Sequence, residues 1–425
     1  MNKNITNAVE FKKIKLFLIY GYFFLFPVLG PLTPEFRTPF GLINSDMLWL
    51  FSTSLLVVYV ILANRRIENT KMFFLLLVYY GFLLTNAFFT GYFNKIVKTD
   101  ISLFVSSAFF MLLIDNLRFN SNDKSSLKFV IVVLVFITLG GSLMQYFVDN
   151  KLFVTRSTYD ALVRVDFEGF WRNGSIFDSL IQNQGGIFLI FALFLFLSKK
   201  SMNWNFIDYL ALFSLLLTGI LTFTRYVIFA QLLIMLFFFF LSSLKSGKVS
   251  AKIFISIIVI STLGYLFFDE IMNSRFIQVR ILGDVSGRTQ DPLDFFTQYK
   301  NEHNIFVGTG VSSFNVEYFF GNIRRLHAGF WDLIFQAGLI GLATWLMILW
   351  QIHKKAIAIR RYGGSDIFMF VIPILLLINF TAQLTHFYYF GLLLVYTVMS
   401  IEIQLLKNKK NGLVKENFGY REMNI

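Results

Sequence analysis

No cysteine occurs among the 425 residues, so disulfide staples and thiolate metal sites are excluded. Charge is also scarce: charged residues make up 15% of the chain against 56% hydrophobic, with a mean hydropathy of +0.64. A soluble protein of this size could not cover such a surface with polar groups, and lipid is the solvent that fits it. Acidic residues are nearly absent from the interiors of the apolar runs; Asp208, Asp332 and Glu402 fall near their ends. Ion-coupled carriers and flippases keep ionisable groups at mid-membrane depth, so that class is disfavoured. The chain has no HExxH, P-loop or Gly-x-Gly-x-x-Gly pattern, and no paired His/carboxylate spacing for a metal. No metal and no cofactor are therefore expected. Neither an internal repeat nor a low-complexity linker divides the chain, and the first apolar run meets Pro31-Leu-Thr-Pro34 instead of a small-residue cleavage site. A single membrane domain over 1–425 is expected.

What the chain has in quantity is apolar runs long enough to approach the ~20 residues of a membrane span. They lie at 16–30, 47–63, 72–93, 101–114, 129–148, 185–197, 206–222, 226–244, 253–268, 333–350, 367–382 and 387–401. The expected fold is all-α, a polytopic membrane protein of about twelve transmembrane helices. Residues 101–114 form the weakest run, pinned between Asp100 and Asp115. The stretch 367–401 is too long for one helix and reads as a hairpin turning near 383–386. The 55 phenylalanines fit lipid-facing positions filled from an AT-rich genome better than an aromatic site.

Twelve spans put both termini on one side. With the N-terminus inside, the inner segments hold 24 of the 38 Lys and Arg residues, and each connection has at least two. The positive-inside rule then assigns both termini to the cytoplasm and accounts for much of the net charge of +13 without invoking nucleic acid. Residue type separates the two faces further. Inner positives are 18 Lys and 6 Arg, whereas outer ones are 4 Lys and 10 Arg. Outer arginines oppose the insertion rule, and a guanidinium fork suits phosphate oxygens bidentately. An anionic, phosphorylated ligand on the outer side would explain them. Contact with anionic lipid headgroups is the plainer alternative.

Two outer connections are long, 149–184 and 269–332, and together they hold ten of the fourteen outer positive charges. Trp171, Phe295, Phe296, Phe306 and Phe319 among those charges argue for ordered loops. The second is expected to fold as short amphipathic helices on the membrane, with 291–299 as one of them. His327 stands at the end of this loop in Arg324-Arg325-Leu326-His327, beside the outer boundary. Neighbouring cations favour its neutral form, which suits a general base, although an interfacial histidine is usually only that. Arg225 occupies the tight turn Thr222-Phe-Thr-Arg-Tyr226, where a positive charge is costly to insert unless an anion partners it. Gly287-Arg288 and Gly308-Thr-Gly310 follow in the second loop, where the latter glycines would serve a turn.

At these residues the chain resembles the superfamily of bacterial O-antigen polymerases and O-antigen ligases. The resemblance rests on His327-Ala328, nine residues, then Gly338-Leu-Ile-Gly341, with Ala328 where a small polar residue is usual. Upstream it rests on Arg280 or Arg275, Gly287-Arg288, Phe295/Phe296 in place of the more usual Trp, and Gly308-Thr-Gly310. A Thr-x-x-Arg turn between two central spans is similar to Thr222–Arg225. The motifs cover residues 170–345, and the span count covers the whole chain.

The resemblance implies a metal-independent glycosyltransferase in the bacterial cytoplasmic (inner) membrane. Its donors would be glycans linked through pyrophosphate to polyprenol, such as undecaprenyl pyrophosphate, on the outer face. His327 would orient or activate the acceptor hydroxyl. Arg225, Arg280 and Arg288 would hold the pyrophosphate, with Arg172, Arg324 and Arg325 as further substrate-binding candidates. The leading expectation is a polymerase joining repeat units of an O-antigen, capsule or exopolysaccharide. The alternatives are a ligase moving finished glycan onto lipid A-core of lipopolysaccharide or another acceptor, then a flippase or other transporter, then a scaffold. The lipid bilayer, a chain-length regulator and a flippase are the expected partners, and nucleic acid is not.

Overall fold

The structure is a computed structural model. It describes residues 70–93, 98–148, 182–198, 204–221, 225–246, 304–311, 329–381 and 390–422, a hairpin at 36–38 and 41–43, and isolated positions before residue 59. Apart from that hairpin (β1, Phe36–Thr38; β2, Gly41–Ile43; antiparallel, with Phe36 opposite Ile43), the described elements are helical. They are α1 (Lys71–Phe89), α2 (Lys98–Asn116), α3 (Ser121–Phe147), α4 (Gln182–Leu197), α5 (Phe206–Leu221) and α6 (Arg225–Ser246). After these come α7 (Gly329–Arg361), a 3-10 turn (Asp366–Phe370), α8 (Val371–Thr381) and α9 (Phe390–Glu422). Among the described residues α1, α3 and α7 are long and apolar enough to cross a membrane; the remaining apolar helical stretches are shorter. The spans expected at 16–30, 47–63 and 253–268 lie outside the described residues apart from isolated positions, as does the amphipathic helix at 291–299.

Polarity runs from inside to outside. On α5, Phe206, Tyr209, Leu210, Phe213 and Ile220 are exposed, while Asp208, Ala211, Ser214, Thr218 and Gly219 are buried. The stripe repeats every three or four residues, so the outward face is large and apolar, while the inward face sets small and polar residues beside Leu212 and Leu215. On α3, likewise, Phe129 and Phe147 are exposed while Thr138, Gly141, Ser142 and Gln145 are buried. In water such a helix would turn over. In lipid, small residues let helices approach closely and polar side chains bond across the interface.

The helices pack around α4, which is apolar on every face and buried from Ile187 to Leu197. It contacts α5, α6 and α9. Close approach is set by glycine: a Cβ on Gly391 of α9 would lie 2.5 Å from the carbonyl carbon of Ile187. A Cβ on Gly186 would lie 2.6 Å from the Tyr226 hydroxyl of α6. Gln231 of α6 donates to Leu215 O of α5 (3.1 Å) and Leu189 O of α4 (3.4 Å), with Gly219 leaving room for its amide. A single buried amide thus ties three helices.

Ion pairs gather at one end of the bundle. Lys15 pairs with Asp123 (2.6 Å), Lys124 with Glu402, Lys128 with Asp208, and Lys355 with Asp115 (2.7 Å). The Tyr396 hydroxyl donates to the same Asp115 at 2.6 Å, and Lys355 also reaches Ser400. Charge counting assigned Lys15, Lys124, Lys128 and Lys355 to one side of the membrane, and here they pair at one end of the bundle.

Several helix limits differ from those expected. Helix α3 begins eight residues before the expected 129, because the Asn120 side chain accepts from Asp123 N and Asp123 accepts from Asn120 N. That reciprocal cap starts the helix in the polar zone. Helices α4 and α7 begin inside the segments read as loops, at Gln182 and Gly329. Asp332, expected near a span end, is fully buried in the first turn of α7. The run 367–401 does divide into two helices, α8 and α9.

Candidate functional site

At the end opposite the ion pairs, two glycine motifs far apart in sequence meet. Helix α7 is broken at Gly338, whose φ of 60° and ψ of −169° interrupt the helical ladder. A break of this kind frees the carbonyls before it and the N–H groups after it, and buried backbone groups need partners. The turn 304–311 supplies both. Thr309 N and Gly310 N donate to Phe335 O (2.9 Å) and Gln336 O (2.8 Å). In return Leu339 N and Ile340 N donate to Ile305 O (3.0 Å) and Phe306 O (3.1 Å). The Thr309 hydroxyl also donates to Phe335 O.

Only glycine fits this junction. Gly308 and Gly310 have φ of 75° and 83°, in the left-handed region that L side chains avoid. A Cβ on Gly308 would lie 2.6 Å from Gly338 N, and one on Gly310 would lie 2.5 Å from Ala87 Cα in α1. The turn is therefore held between α7 and α1, backbone against backbone. Irregular backbone inside a helical membrane protein is tolerated where protein buries it and satisfies its bonds. The sequence treats Gly308-x-Gly310 as a simple turn and Gly338 as part of a continuous span. Their union is visible only in the fold.

Of the expected site residues, Arg225 alone falls within a described element, as the first residue of α6 and not in the turn before it. Lys128 and Asp208 pair at the opposite end, so α3 and α5 share a level there. From that level α3 continues for about 28 Å to Phe147 and α5 for about 20 Å to Leu221, at a rise of about 1.5 Å per residue. Helix α5 thus ends about 8 Å short of the end of α3 along their lengths. The starts of α6 and α9 meet the second turn of α4, through the Gly186–Tyr226 and Ile187–Gly391 contacts. Each helix N-terminus carries the equivalent of roughly half a positive charge. Two such ends, those of α6 and α9, lie against α4, and Arg225 is the first residue of α6.

His327 lies two residues before Gly329, where α7 begins. His327, Arg324, Arg325, Arg288, Arg280 and Arg172 themselves lie outside the described residues, as do Arg275 and Phe295/Phe296. Residues that sequence reasoning passed over are Asn86 and Thr90 of α1, which hold the 304–311 turn by side-chain bonds to Val307 O and Thr309 O. Nothing in an isolated apolar span distinguishes them, beyond an amide and a hydroxyl four residues apart.

Comparison with protein-family models and with curated proteins finds no match for this chain.

Proposed function

We propose that the protein is a metal-independent glycosyltransferase that polymerises polyprenyl-pyrophosphate-linked repeat units into a surface polysaccharide. Its place would be the outer face of a bacterial cytoplasmic membrane, with both termini cytoplasmic. What supports this reading is the meeting of the starts of α6 and α9 against α4, with Arg225 the first residue of α6. Positive helix ends suit an anion borne on a lipid. The outer excess of arginine points to the same ligand chemistry.

In this reading an acceptor hydroxyl attacks the anomeric carbon of the donor, and the bond from that carbon to the pyrophosphate oxygen breaks. His327 takes the hydroxyl proton, and the polyprenyl pyrophosphate leaves. Arg225, Arg280 and Arg288 neutralise the charge that develops on the leaving oxygens, which preorganised guanidinium groups do well in a poorly hydrated site. Arg172, Arg324 and Arg325 contribute to holding the glycan-lipid.

The test is polymerisation by purified protein from lipid-linked repeat units, without added metal or nucleotide, compared with two variants. His327→Ala should abolish chain growth without reducing membrane expression. Arg225→Lys keeps the charge and loses the fork, and should lose most of the activity. Wild-type chain lengths from His327→Ala would overturn the catalytic role. Transfer of preformed chains to a different acceptor, with no growth from single units, would make the protein a ligase.

A further inference from the structure

We infer that Asn86 and Thr90, on the last turns of α1, are positioning residues for the reaction: they fix the 304–311 turn in the broken α7 and so set where α7 begins beside His327. The inference rests on the function proposed above.

Among the described residues, the turn's hydrogen bonds to α7 run through backbone groups, apart from its own Thr309 hydroxyl. Backbone bonds of that kind set no preference for one partner helix over another. Its attachment to α1 is different. The buried Asn86 amide donates to Val307 O, and the Thr90 hydroxyl lies 2.7 Å from Thr309 O and 2.8 Å from Asn86 O. Thr85, one turn earlier, shows what a threonine does when only its own helix is at stake. Its hydroxyl returns to Gly81 O at 2.8 Å. Thr90 shares its one hydroxyl proton between that return to Asn86 O and a crossing to Thr309 O, the nearer of the two.

The two bonds flank the site at which Gly310 rests on the backbone of Ala87 and Leu83. Together they fix the turn along the axis of α1. The turn in turn caps the second half of α7 through Leu339 N and Ile340 N and holds the first half through Phe335 O and Gln336 O. Sliding it would move the first half of α7, which begins at Gly329 two residues after His327. Neither Asn86 nor Thr90 needs to touch substrate for its loss to misplace a group that does, and displacements of about 1 Å are enough to matter.

The absence of cysteine makes the test direct. Val311 is buried at 2% exposure at the end of the turn, so Val311→Cys reports undocking by its rate of maleimide modification in detergent. In that background Thr90→Val should speed modification about tenfold, the effect of losing one hydrogen bond to a buried carbonyl. Thr90→Ser should restore the slow rate. In the cysteine-free chain, Thr90→Val should lower saturated turnover of lipid-linked repeat units by about tenfold while KM stays within about twofold, and Thr90→Ser should recover it. Asn86→Leu is the second variant, expected to behave as Thr90→Val.

Faster modification with unchanged turnover would reduce the pair to a structural tether and overturn the positioning role. Unchanged modification in both Thr90→Val and Asn86→Leu would overturn the tether itself. Labelling of Val311→Cys as expected, beside a wild-type protein that turns over no lipid-linked glycan, would overturn the proposed reaction, and the positioning role with it. The labelling would still report on the tether.

Discussion

Replacing Gly310 by alanine tests the junction between the turn and the two helices most sharply. The substitution adds one methyl group to a residue at φ 83°, which costs about 1–2 kcal/mol for an L side chain in the left-handed region. The methyl also meets backbone that cannot swing away: 2.5 Å to Ala87 Cα and 2.5 Å to Leu83 O. Overpacking of this kind adds about 1–3 kcal/mol. The docked turn should therefore lose about 2–5 kcal/mol, or roughly 30-fold to several thousand-fold in its opening equilibrium. Hydrogen exchange read by mass spectrometry measures that opening locally. Amides of Thr309, Gly310, Leu339 and Ile340, which bond across the junction, should exchange faster together, while those of the buried α4 keep their wild-type rates. Gly81→Ala is the control, since a methyl there meets nothing within 4 Å. Exchange at the junction indistinguishable from wild type in Gly310→Ala would refute the argument. The same acceleration in Gly81→Ala would refute its specificity.

Other consequences can be checked alongside. Lys128→Met leaves the Asp208 carboxylate, only 3% exposed, without its ammonium partner and should destabilise the protein by about 3 kcal/mol or more in detergent melts; the double variant with Asp208→Asn should recover part of that loss. Gln231→Leu removes the amide that bridges α4, α5 and α6 and should cost about 1–2 kcal/mol in the same melts. Gly391→Ala should separate α9 from α4 at Ile187 and lower both thermal stability and polymerisation, whereas normal values for both would contradict the close packing. In intact cells a membrane-impermeant maleimide should label Asn304→Cys, and should label Lys410→Cys only after permeabilisation; the reverse pattern would invert the proposed orientation.

Much of the helical framework was legible because its signals are local. Apolar runs marked α1, α5 and α6 close to their observed limits, and the overlong stretch 367–401 announced two helices. Where limits were missed, the missing information was polar. The Asn120–Asp123 cap carries α3 past the apolar run, and hydrophobicity counts do not register caps. Charge counting put Lys124 and Lys128 on one side, but that they meet Glu402 and Asp208 depends on helix packing.

The sequence by itself determined the solvent and the class of elements. With 56% hydrophobic residues and few charges, helices in lipid are the structure that satisfies the backbone. It also singled out the outer arginines and His327, because residue type and motif spacing are one-dimensional properties. Only the tertiary structure decided that Gly308, Gly310 and Gly338 form one junction, that α1 holds it through Asn86 and Thr90, and that the starts of α6 and α9 lie against α4. The reason is physical. Each of these facts concerns backbone groups or helix ends meeting across tens to hundreds of residues, and a backbone carbonyl or amide has the same identity at every position until the fold gives it a partner.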